Sequence, residues 1–252
     1  MPYSARTIEG RTNASLGQIY NEKLTEKNSI FIAMKDPKNP SFFYDSKTFE
    51  FLNALTDSFE LISKELTDLL ALNTPKSWLK TFPQYVQSEE DAAWDVFTFK
   101  FFGMSHLNNQ ALCPTTAALV NSIPELISCD FSRMKPNTTI MPHRGYSRMI
   151  LRGHLPLIVP QGNACAIRVG NQTEYHQPGK MIIFDDSYEH SAWNHSSEDR
   201  IVLMFDLPNP MWGYTAHEIS RYKIAHLDDP FLLSLASNSA WNEAFEKGCL
   251  PI

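Results

Sequence analysis

From Trp94 to Pro208 the chain runs through a succession of short segments rich in β-branched and aromatic residues, and this constrains the fold more than any other feature. The segments read VFTFKFFG, LISCDFSRM, TTIMPH, RMILRGHLPLIV, ACAIRV, KMIIFD, EHSAWN and RIVLMFDLP. Between them stand KPN, PQGN, VGN and QPGK, whose Pro, Asn and Gly suit turns. Many short strands with little helix between them bury their apolar faces by stacking as two sheets or closing into a double sheet. The fold predicted is mainly β with flanking helices.

Helix signals lie on either side of this region. Leu52, Leu55, Phe59, Ile62, Leu66 and Leu69 recur at alternating spacings of three and four, which predicts one amphipathic helix from about Lys47 to Leu72, stopped by Asn73-Thr74-Pro75. The first 40 residues are polar and loop-like. After Pro208 the stretches GYTAHEISRYKIAHL and SNSAWNEAFEKG read as helices. The organisation expected is one domain over residues 1–252: an N-terminal helical layer (1–93), a β core (94–210) and a helical tail (211–252).

Charge and cysteine usage exclude several function classes. With 22 Lys and Arg against 28 Asp and Glu, the chain has no basic stripe for nucleic acid. No apolar run is long enough for a membrane span, and MPYSARTIEGRTNAS lacks an apolar leader stretch. Cys113, Cys129, Cys165 and Cys249 lie far apart, without the close spacing of a zinc ribbon. Free thiols and a cytoplasmic location are the expectation.

Of the eight histidines, His143 and His190 stand out. Each is at a strand end facing a turn, His143 after TTIMP and His190 in FDDSYEHSAWN, where a scaffold can aim two imidazoles at one point. The common ferrous site adds a carboxylate two residues after the first histidine, but that place holds Gly145. Asp185 and Asp186 suit a turn as well as a metal site. Arg152 and Arg200 sit in or beside apolar strands, where an inward guanidinium needs an anion, although a strand-end arginine can also be exposed.

Together PHRGYSRMILRGHLPLIVP, PGKMIIFDDSYEHSAWN and RIVLMFDLPNP resemble the aspartyl/asparaginyl β-hydroxylase family of Fe(II)- and 2-oxoglutarate-dependent oxygenases. The dense match runs from about Phe131 to Pro210; WDVFTFKFFG and CPTTAALVNSIPEL extend it upstream. The resemblance implies a double-stranded β-helix, the jelly roll also seen in cupins. It implies that His143 and His190 ligate Fe(II), and that Arg200 and Ser132 share the distal carboxylate of 2-oxoglutarate. Arg152 and His154 then lie near the co-substrate and the substrate pocket. The family characteristically has a non-acid where Gly145 stands, so the missing carboxylate is normal here. The implied reaction uses O2, releases succinate and CO2, and hydroxylates an unactivated C–H bond.

Two positions depart from the relatives that act on protein domains. Basic residues near their substrate carboxylate appear here as Asp130 and Ile150, so a substrate presenting an amine near Asp130 is expected. Arg152 is a further candidate for substrate contact. Without helical repeats or a membrane segment, the chain points to a small, amino-acid-like substrate, free or tethered to a carrier protein. Two alternatives stand beside this reading. One is a radical halogenase, in which halide occupies the coordination place left at Gly145; the other is a non-catalytic cupin-like binding module.

Overall fold

The computed structural model describes residues 41–72, 78–88, 93–123 and 125–251. The expectations for residues 1–40 and for the helix stop at Asn73-Thr74-Pro75 lie outside the described residues.

The N-terminal segment opens with a short strand β1 (Phe43–Tyr44) and two 3-10 turns, followed by helices α1 (Asn53–Asp57) and α2 (Phe59–Ala71). One continuous helix was expected; the backbone instead breaks at Ser58, whose φ of −97° and ψ of 15° leave the helical region. Its apolar stripe survives the break. Leu52, Leu55, Ile62, Leu66 and Leu69 are buried, with Phe59 packed at the margin. The segment also adds β2 (Leu79–Lys80) and β3 (Val86–Gln87) to the sheets, so it is more than a helical layer.

The β region follows as β4 (Trp94–Phe101) and β5 (Met104–Ser105), then helices α3 (Leu107–Leu112) and α4 (Pro114–Ser122), then β6 (Ser128–Met134), β7 (Thr138–His143) and β8 (Ile150–Ile158). After these come β9 (Cys165–Val169), β10 (Gln172–Tyr175), β11 (Ile182–Phe184), β12 (His190–Asn194) and β13 (Arg200–Pro208). The C-terminal segment forms α5 (Ala216–Ala225), α6 (Pro230–Leu235) and α7 (Asn238–Lys247). All eight β-rich runs contain a strand. The exposed edge strand β10, reading QTEY, lacks the apolar alternation that would have revealed it.

Two antiparallel sheets result. One has the order β1-β11-β8-β13-β6-β4-β2, with β5 on β4; the other runs β10-β9-β12-β7-β3. They meet through Trp94, Met134, Ile182 and Phe184 of the first and Ile140, Ile167, Val169 and Ala192 of the second. This is the double sheet expected of a jelly roll. The outer face of the larger sheet buries Phe97, Phe131, Leu155, Leu203 and Phe205 against α1, α2 and α4. A separate cluster around Phe102, Ile150, Ile219 and Trp241 fixes the C-terminal helices to one end. Helices thus brace the larger sheet from outside, while its inner face is free to carry polar groups. Among the described residues, no helix is long and apolar enough to cross a membrane.

Candidate active site

β7 ends at His143 and β12 begins at His190, and the two residues are register partners across the smaller sheet. Their ring centroids are 4.2 Å apart. Each Nδ1 lies against a backbone carbonyl two residues earlier, His143 on Met141 at 2.7 Å and His190 on Tyr188 at 3.0 Å. A carbonyl only accepts, so both Nδ1 atoms carry the proton and both Nε2 atoms keep a lone pair. That is the tautomer a metal requires. Burial pushes the pKa of His190 down to about 3, helped by the neighbouring His143. Burial also lowers His143, whose ring stacks on Tyr85 at 4.7 Å. Both are therefore neutral near pH 7. Among the described residues, no group of three His, Cys, Asp or Glu could hold a metal ion; the two histidines offer a pair of imidazole donors.

Gly145 explains the missing carboxylate in steric terms. Its N–H donates to the Asp186 carbonyl at 2.8 Å, and a Cβ built on it would land on the Asp186 carboxylate. No side chain fits there while Asp186 holds its place. Asp186 is 1% exposed, and its Oδ1 has no hydrogen-bond partner among the described residues. Burial raises its pKa to about 7, against the pull of Arg152. Its neighbour Asp185 has the turn role expected, accepting from Ser187 N at 3.1 Å and Ser187 Oγ at 2.6 Å.

Strand register sets the rest of the site. Ser128, Asp130, Ser132 and Met134 of β6 face Asp206, Met204, Val202 and Arg200 of β13, and Arg152 and His154 of β8 continue two of these rows. Arg200 is buried and, among the described residues, Nε and Nη1 have no hydrogen-bond partner, while Nη2 meets the sulfur of Met134. Burial pushes its pKa down to about 10, still far above neutrality. A buried charge without a counter-ion costs several kcal/mol, so the geometry calls for an anion. Ser132 Oγ accepts from Trp94 Nε1 at 3.0 Å and keeps its own proton to donate. Arg200, Ser132, His154, His143 and His190 line one small cavity of about 20 Å³, which brings a buried guanidinium that can pair with a carboxylate together with two imidazoles that can donate to a metal. His154 Nδ1 lies 3.2 Å from His176 Nε2, and burial keeps both rings neutral.

A second, larger cavity of about 390 Å³ shares Trp94, His143, Arg152 and Met204 with the first. His143 thus stands at the junction of two compartments, with His190 on the side of the smaller one. Arg152 is tied down there: Nε meets Asp206 Oδ1 at 2.8 Å, Nη2 meets Asp206 Oδ2 at 3.1 Å, and Nη2 lies 3.6 Å from Asp186. Although burial opposes its charge, Asp206 and Asp186 together raise its pKa. Asp130 has less support. Burial raises its pKa to about 7, with Thr98 as the hydrogen-bonding partner and Asp206 adding repulsion.

Of the residues singled out from sequence, His143, His190, Ser132, His154 and Arg200 converge on the small cavity, and Asp130 and Arg152 on the large one. Arg152 is held by carboxylates through Nε and Nη2. Ile150 is a correction: it is buried in the cluster beneath the C-terminal helices and is absent from both cavity linings. Asp206 and His176 were missed. Asp206 shares the strand parity of Arg200, so an acid at an inward position of an apolar strand was a readable signal; His176 lies in a turn and offered none.

The model of the family described as Aspartyl/Asparaginyl beta-hydroxylase matches residues 56–210. An ornithine lipid ester-linked acyl 2-hydroxylase of Rhizobium tropici is 37% identical over 170 residues, 67% of this chain and 60% of that protein. The human aspartyl/asparaginyl beta-hydroxylase is 31% identical over 166 residues, 64% of this chain and 21% of that protein. The matches thus span less than two thirds of either relative. Among solved structures, a Pseudomonas putida prolyl-4-hydroxylase is 12% identical over 60% of this chain and 86% of its own, with a TM-score of 0.39, too loose to bear on function.

Proposed function

The chain belongs to the aspartyl/asparaginyl β-hydroxylase family, and from that premise we propose that it is an Fe(II)- and 2-oxoglutarate-dependent dioxygenase. It hydroxylates an unactivated C–H bond of a small, amino-acid-like substrate, free or tethered to a carrier protein. The observation that carries this reading is Arg200, a buried guanidinium with unmet donors in the same cavity as two histidines whose Nε2 atoms are free.

When bound, iron and 2-oxoglutarate supply the oxidising power, as O2 and the co-substrate yield succinate, CO2 and a hydroxylated carbon. The protein's residues supply placement. His143 and His190 hold the metal through Nε2, their rings fixed by the Met141 and Tyr188 carbonyls. Arg200 and the Ser132 hydroxyl receive the distal carboxylate. Trp94, Ile140, Ile167, Phe184 and Ala192 wall this cavity with apolar surface and keep water from it. The Arg152–Asp206 pair makes a rigid floor between co-substrate and substrate compartments.

Hydroxylation is favoured over halogenation because the recess at Gly145 is already filled by the Asp186 carboxyl group, which leaves no volume there for a halide. An unpaired Arg200 argues against a purely structural core but serves a binding module as well as an enzyme, so turnover decides between those two. The test is incubation of the purified chain with Fe(II), 2-oxoglutarate and an amino-acid panel, reading succinate with and without chloride. Substrate-stimulated succinate indifferent to chloride supports hydroxylation. A chlorinated product supports the halogenase, and 2-oxoglutarate binding with no turnover on any substrate supports the module.

A further inference from the structure

The family match ends at residue 210, yet much of the large cavity's wall comes from beyond it. Phe231, Leu232 and Leu235 of α6, Trp241 of α7 and Leu250 line it. This wall is anchored in its own core: Trp241 is fully buried and donates from Nε1 to the Leu232 carbonyl at 3.0 Å, while Phe231 packs on Phe82 with centroids 4.9 Å apart. The cavity runs along β4, which contributes Trp94, Val96, Thr98 and Phe101. Seven residues of extended strand cover on the order of 20 Å, so the apolar end around Phe101, Trp241 and Leu250 lies well away from the histidines.

Charge in the cavity is unbalanced. Asp130, Asp206, Asp228 and Asp229 line it, against Arg144 and Arg152. Arg152 is consumed by Asp206, and Arg144 donates to the Ser187 carbonyl at 3.0 Å. Asp229 caps α6 by accepting from Leu232 N at 3.0 Å, and Lys223 lies near Asp228. Asp130 is left 6% exposed, two residues along β6 from Ser132; among the described residues it has no ion pair of its own, only the pull of an Arg152 already paired with Asp206. A substrate of net negative charge would meet repulsion here, whereas an ammonium would supply the missing charge.

We infer that the large cavity selects a primary amine carrying a bulky apolar group. Asp130 receives the ammonium, and residues 228–250 enclose the apolar group. This rests on the hydroxylase reading, because it takes the same cavity as the substrate site. Apolar amino acids and lipids with an amino-acid head group share this chemistry, and at about 390 Å³ the cavity is in the ordinary range of small-molecule sites. The C-terminal segment is thus the specificity element laid over a shared catalytic core.

The test reads binding separately from turnover. The full chain, metal-free, is titrated calorimetrically with L-phenylalanine, L-tryptophan, L-leucine, L-aspartate, 3-phenylpropanoate and a detergent-dispersed ornithine lipid; succinate is measured in parallel with Fe(II) and 2-oxoglutarate. The apolar amino acids or the lipid should bind at least about tenfold tighter than 3-phenylpropanoate and aspartate. Which of the two binds identifies the source of the amine. Asp130→Asn should abolish that preference with 2-oxoglutarate affinity unchanged, and Phe231→Trp should shift preference toward smaller apolar groups. Equal or tighter binding of aspartate or phenylpropanoate, binding of none of the probes, or a preference untouched by Asp130→Asn would overturn the inference. Amine binding without succinate would leave it standing and sink the hydroxylase reading; succinate formation without amine preference would do the reverse.

Discussion

The Asp186 carboxylate occupies the volume that a side chain on Gly145 would need, and the two residues are tied by a backbone hydrogen bond of 2.8 Å. A carboxylate therefore fills the recess at Gly145, but it comes from the β11–β12 turn rather than from the residue two places after His143.

Gly145→Asp should accordingly fail to build a three-ligand site. The new side chain must displace Asp186, at a cost on the order of 1–3 kcal/mol of stability, and turnover should fall. Adding Asp186→Gly should recover most of the lost thermal stability. The melting temperatures of the two single variants and the double variant check this; simple additivity would show that the residues do not compete for one space.

His143→Ala and His190→Ala should each remove Fe(II)-dependent succinate formation. Metal titration by calorimetry gives an independent readout, since a two-ligand site has no spare donor. Full metal affinity in either variant would refute the ligand assignment.

Arg200→Met should act in opposite directions on stability and binding. Replacing a buried, unpaired guanidinium with an apolar side chain should raise the melting temperature of the ligand-free chain. It should also weaken 2-oxoglutarate by on the order of a hundredfold and cancel the thermal shift that 2-oxoglutarate gives the native chain. Unchanged 2-oxoglutarate affinity would mean that the carboxylate binds elsewhere.

Asp130 should make stability and amine binding depend on pH in opposite senses. Burial raises its folded-state pKa from 3.8 to about 7, with Thr98 and Arg152 opposing and Asp206 reinforcing the shift. Between those values the folded chain retains a proton that the unfolded chain has released, so this group's contribution to stability falls as pH rises, by a few kcal/mol in all. The stabilisation gained by Asp130→Asn should therefore grow from about pH 5 to about pH 8, read by thermal or denaturant unfolding. Affinity for an amine probe should rise over the upper part of that window as Asp130 ionises. A pH-independent difference between native and variant chains would contradict the buried-carboxylate account.

Much of the architecture was legible because period and punctuation are local properties. Eight apolar or alternating runs between turn residues became strands, and the Leu52–Leu69 stripe found its core even though the backbone breaks at Ser58. The polar edge strand β10 escaped notice because an exposed edge imposes no apolar pattern. His143, His190, Ser132 and Arg200 were legible through the family motifs rather than through composition or spacing alone.

What the sequence by itself determined was the strand set and the two histidines at strand ends, with Arg200 and Ser132 singled out by the family motifs. Pairing across strands and packing between segments were decided only by the tertiary structure. Asp206 pairs with Arg152, Asp186 reaches the recess of Gly145, Ile150 is drawn under the C-terminal helices, and residues beyond 210 line the larger cavity. The physical reason is separation along the chain: 54 residues part Arg152 from Asp206, and no local periodicity reports which side chains will share a buried volume.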